Sequence, residues 1–73
     1  MINIRTGTLG EIIEGDNKGG YVKIINDSEN TGGFLILLSD RKDFSEGFDD
    51  WVENKDSLES YFRESRWKIK WFS

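Results

Sequence analysis

Residues 67–72 read Trp67-Lys68-Ile69-Lys70-Trp71-Phe72. Trp67, Ile69 and Trp71 fall on one side of an extended chain, and Lys68 and Lys70 fall on the other. This strict period of two predicts a half-buried strand. Immediately upstream, Leu58, Tyr61, Phe62 and Ser65 recur at helical spacing, which gives one apolar face. Asn54 or Asp56 can cap that helix, and Asp56-Ser57-Leu58-Glu59 has the form of a capping box with Asp in first place. Arg63 and Arg66 put positive charge near the helix C-terminus, where the macrodipole favours it. The chain therefore closes with a helix and then a strand.

Further upstream the segments shorten. Residues 48–53 (FDDWVE) read as a strand with weak alternation, preceded by a charged connection at 40–47. Residues 34–39 (FLILLS) are apolar on both alternating sides, the pattern of a central strand. Residues 21–26 (YVKIIN) are rich in β-branched side chains, and a polar loop ending in Gly32-Gly33 joins the two into a hairpin. Residues 6–14 (TGTLGEIIE) admit two readings. Thr8-Leu9-Gly10-Glu11 fits a capping box, with Leu9, Ile12 and Ile13 on one helical face. Gly7 and Gly10 oppose a helix, each costing about 1 kcal/mol relative to Ala, and leave a strand as the rival. The helix is preferred. The expected order is α-β-β-β-α-β: an α+β two-layer domain spanning 1–73. Its antiparallel or mixed four-stranded sheet carries one or two helices on one face.

The composition limits the chemistry. The chain has 73 residues, a net charge of −4, and neither Cys, His nor Pro. Disulfides, thiolate metal sites and the usual neutral-pH proton shuttle are absent. Aromatic residues make up 14%, which favours a folded core over a disordered chain despite the 33% charged residues. No flanking pattern supports a Lys- or carboxylate-based nucleophile. Paired carboxylates exist, but so short a chain has little room for the cleft that glycoside hydrolysis needs. Asp27-Ser28-Glu29-Asn30-Thr31-Gly32 echoes the opening of a calcium loop, yet its twelfth position is Leu38 where a bidentate Glu is required. Gly19-Gly20 and Gly32-Gly33 precede strands, not helix N-termini, so no phosphate-cradling loop is expected. No catalytic residue, cofactor or metal is expected. The start MINIRTGTLG lacks a signal-peptide pattern, and the longest apolar run, Phe34–Leu38, is too short to span a bilayer. A cytoplasmic protein without membrane contact is the expectation.

Charge is distributed unevenly. Residues 40–59 carry eight acids against Arg41, Lys42 and Lys55, a local net of −5, whereas 60–73 has a net of +3. Such an acidic stretch is either a solvated face or a docking surface for a basic protein. Trp51, among the acids, is either a core ring or an interface anchor. The basic, aromatic tail RESRWKIKWF could stack and track a single-stranded nucleic acid, although its tryptophans share a face with Ile69 and the chain as a whole is acidic.

Thr31-Gly32-Gly33-Phe34-Leu35-Ile36-Leu37, Phe48-Asp49-Asp50-Trp51-Val52-Glu53, Leu58, Tyr61-Phe62 and Trp67-Lys68-Ile69-Lys70-Trp71 together resemble a group of very small bacterial proteins. These are encoded beside polymorphic or contact-dependent toxins and read as immunity proteins. The resemblance covers residues 31–71 and implies a cytoplasmic, non-enzymatic neutraliser of a toxin domain, commonly a nuclease. Charge places the expected partner-binding residues at Asp40, Asp43, Glu46, Asp49, Asp50, Trp51 and Glu53. The expected state is a monomer or a 1:1 complex with a basic toxin domain. A phage-type acidic nucleic-acid mimic that inhibits a host defence nuclease is the alternative, beside the nucleic-acid-binding tail.

Overall fold

The structure, a computed structural model, describes residues 4–44 and 46–72. Its elements are β1 (Leu9–Glu14), β2 (Tyr21–Asp27), β3 (Gly33–Ser39), β4 (Phe48–Val52), α1 (Lys55–Ser65) and β5 (Lys68–Trp71). They form one five-stranded sheet in the order β4-β3-β2-β1-β5, with each neighbouring pair antiparallel. β4 and β5 thus run parallel to each other at opposite edges, and α1 connects them across one face. The α+β class stands. The expected four strands are five, the order is β-β-β-β-α-β, and the named strands include no parallel pair.

The correction falls on residues 6–14, which were expected to be helical. Leu9–Glu14 is a strand inserted between β2 and β5. Two ladders satisfy its backbone groups, and this outweighs the local capping pattern. Gly10 shows why the strand wins. A Cβ there would lie 2.8 Å from the Trp71 ring, so the sheet uses the missing side chain to seat an indole.

The face under α1 is the core. Ile12, Val22, Ile24, Ile36 and Leu38 alternate inward from three strands, and Leu58 and Phe62 meet them from the helix. Asn54 caps α1 by accepting from the Ser57 N–H at 2.8 Å, and Arg66 ends it in the left-handed conformation. Trp67 and Trp71 pack against Phe62, with ring centroids 5.0 and 6.4 Å away. The Trp67 indole N–H donates to the Asp16 carbonyl at 2.7 Å, tying the β1–β2 turn to the end of the helix.

The opposite face has no second layer among the described residues. Half-buried Leu9, Tyr21, Ile25, Leu35 and Leu37 point there, together with the more exposed Trp51. No helix among the described residues is long and apolar enough to cross a membrane.

Candidate partner-binding surface

β4 divides the expected site between the two faces. Pairing sets Phe48, Asp50 and Val52 opposite the core-facing Leu38, Ile36 and Phe34. Asp49 and Trp51 alternate to the uncovered face. The acids therefore do not form one continuous patch.

Trp51 is 44% exposed, so it is a surface ring and not part of the core. Three contacts fix it. Its indole N–H donates to the Thr31 hydroxyl oxygen at 2.8 Å. Thr31 also accepts from the Gly33 N–H at 3.3 Å and donates to the Asp27 carbonyl at 3.3 Å, so both its donor and acceptor capacity are used. The ring lies over Gly33, where a Cβ would come within 2.8 Å of it.

On the helix side, one Asp50 carboxylate oxygen accepts from the Trp51 backbone N–H at 2.8 Å. This N–H belongs to an outer strand edge, and the bond leaves it less open to a foreign strand. Asp50 also lies close enough to the Tyr61 hydroxyl to act on its ionisation. Burial, then the charge and hydrogen bond of Asp50, then the charge of Asp16, raise the Tyr61 pKa above its ordinary value.

Beyond Asp50, a shallow groove of about 420 Å³ runs between the end of β4 and α1. Val52, Asn54, Asp56, Tyr61 and Glu64 line it, and Glu53 lies in the turn that enters it. Among the described residues, no cation comes within 4.0 Å of the carboxylates of Asp50, Glu53, Asp56 or Glu64. Asp56 and Glu64 are thus acids that the strand-centred reading missed. Their signal was helical: Asp56, Ser60 and Glu64 recur every fourth residue on one side of α1.

Asp40, Asp43 and Glu46 sit at the other end of β4, in the connection from β3. Asp43 pairs with Arg41 at 3.6 Å, both well exposed. The Ser39 hydroxyl donates to the Glu46 carbonyl and accepts from the Arg41 N–H, which closes this loop at its base. The structure therefore brings Asp50, through Tyr61, beside the groove acids Asp56 and Glu64, with Glu53 in the turn between β4 and α1, while Asp40, Asp43 and Glu46 stand apart and Asp49 and Trp51 face away.

The other sequence features have structural uses. The Asp27 carbonyl accepts from the N–H groups of Asn30, Thr31 and Gly32, and its carboxylate accepts from the Asn30 amide, so the calcium-like segment is a closed hairpin turn. No cluster of three or more metal-ligating side chains occurs among the described residues. Packing on Phe62 occupies the tail tryptophans, which leaves them poorly placed to stack on bases. No protein-family model matches the chain, and neither does any curated protein or any solved structure.

Proposed function

We propose that the chain is a non-enzymatic, immunity-type binding protein. It neutralises a toxin domain, of nuclease type, by laying its acidic β4–α1 corner over the toxin's cationic cleft. One observation supports this most directly: Asp56 and Glu64 line a groove beside Asp50, and no described cation pairs with these three acids. A nuclease holds phosphates with Lys and Arg, and those side chains fit such a groove. Occupying them excludes the nucleic acid, and opposite fields speed the encounter. The chain meets the toxin in the cytoplasm, before the toxin reaches its substrate.

The test is association kinetics with the product of a toxin gene adjacent to this one. The on-rate should fall as ionic strength rises, and Asp56→Lys with Glu64→Lys should slow it further. Absence of binding, or an on-rate indifferent to salt and to both reversals, would reject the proposal.

A further inference from the structure

The acids of the β4–α1 corner speed an encounter, but charge at a rim does little to hold a complex together. Residence comes from a few large side chains buried at the centre of an interface. On the α1 side of the sheet one exposed ring suits that role. Phe48 is 59% exposed, although pairing sets it opposite the core residue Leu38. The other exposed large apolar residues among those described are Ile13, Trp51 and Phe72. Trp51 faces away, and Ile13 and Phe72 follow the core-packed Ile12 and Trp71, so alternation sends them to the uncovered face.

Beside Phe48 the end of the sheet opens into a notch of about 420 Å³ that α1 does not reach. Buried Gly20, Leu38 and Ser39 line it. Their polar groups are satisfied from within. The Ser39 hydroxyl donates to the Glu46 carbonyl and accepts from the Arg41 N–H. The Gly20 N–H donates to the Asn17 carbonyl, and the Gly20 carbonyl accepts from the Ile12 N–H, both at 2.9 Å. Lys18 and Asp40 also line the notch and contribute one charge of each sign. Its lining is therefore neutral overall, which suits an apolar occupant and not an ion.

The notch continues the acidic corner. Phe48 and Asp50 project on the same side of β4. The turn that carries Lys18 approaches Tyr61 through Trp67, whose indole N–H bonds the Asp16 carbonyl and whose ring lies 5.5 Å from that of Tyr61. We propose that the notch seats a large apolar side chain of the cationic partner, with Phe48 as the anchor ring and the acids beside it receiving the partner's Lys and Arg. This rests on the acidic-corner reading and adds the apolar centre that the acids do not supply. Phe48 then takes the anchoring role that the sequence suggested for Trp51.

Two measurements test the anchor, with circular dichroism confirming the fold of each variant. The isotope-labelled full chain is first titrated with the blocked tripeptide acetyl-Lys-Phe-Lys-amide. The amide signals of Gly19, Gly20 and Gly47 should move, and acetyl-Lys-Ser-Lys-amide should not move them at the same concentrations. Phe48→Ala should abolish the response. The second measurement is dissociation from the product of the adjacent toxin gene. Phe48→Ala should speed it roughly tenfold or more while leaving the on-rate and its salt dependence unaltered. Phe48→Leu should recover most of the loss, and Ile13→Ala, on the other face, should change neither rate. Equal shifts with both peptides, no shifts with either, or unaltered dissociation of Phe48→Ala from a complex whose on-rate still falls with salt would overturn the anchor and leave the acidic corner standing. Faster dissociation of Phe48→Ala with an on-rate indifferent to salt would keep the anchor and reject the electrostatic reading. Absence of any complex would reject both.

Discussion

The Thr31 hydroxyl decides how Trp51 meets its surroundings. It bonds the indole at 2.8 Å and also two backbone groups of the hairpin, so ring and turn hold each other. Gly33 completes the seat. Gly33→Ala would drive a methyl into the Val52 carbonyl oxygen and the Trp51 ring, and overpacking of this kind costs ~1–3 kcal/mol. Urea denaturation should show that loss, and an unchanged midpoint would mean that neither β4 nor the ring packs so closely on Gly33. Tyr61 offers a second test at this scale. Its pKa in the folded chain lies above the ordinary value of 10.0, so the folded state holds the proton more tightly than the unfolded state. The resulting stabilisation is complete below the unfolded pKa and is lost as pH rises through the folded one. Tyr61→Phe lacks this dependence. The stability of the unaltered chain relative to Tyr61→Phe should therefore decline as pH rises past 10.0, and a constant difference would mean that neither burial nor Asp50 holds the proton on Tyr61.

Among the elements, β2, β3, β5 and α1 were legible because each announces itself locally. The β-branched run, the two-sided apolar run, the alternation of Lys68 and Lys70 with rings, and the cap at Asn54 all act within a few residues. β1 was not legible, because the reason for Gly10 lies about 60 residues away at Trp71. A helix-propensity argument counts that glycine as a defect; the sheet uses it as space. The candidate site failed similarly. Sequence proximity grouped Asp49 with Asp50, but the two-residue period of a strand sends neighbours to opposite faces. The helical acids Asp56 and Glu64 joined Asp50 only through tertiary packing. The β1–β5 seam yields the prediction at this scale. Trp71→Ala should cost ~3–5 kcal/mol by thermal or chemical denaturation, and Trp71→Phe much less, because a ring still fills the space over Gly10 and beside Phe62. Equal losses in both variants would mean that the indole does not act through packing.

At the scale of the molecule, the net charge of −4 is not spread evenly: the β4–α1 corner gathers acids around a groove, and the sheet's other edge carries Lys68 and Lys70. Like charges gathered in the folded state are closer than in the unfolded chain, so the isolated protein tolerates some self-repulsion. Exposed pairs such as Arg41–Asp43 offset little of it, being worth ~0–1 kcal/mol. Added monovalent salt should therefore raise the melting temperature when protein concentration is held fixed, because screening removes the repulsion. A gain of about 1 kcal/mol would move the midpoint by about 4–8 °C in a domain of this size. Glu64→Gln, which spares the first-turn Asp56, should start from a higher midpoint at low salt and respond less. That outcome would show that acids useful to a cationic partner destabilise the free chain. A midpoint that falls with salt would mean that attractive pairs dominate the surface, and the corner would then have no unsatisfied charge to offer.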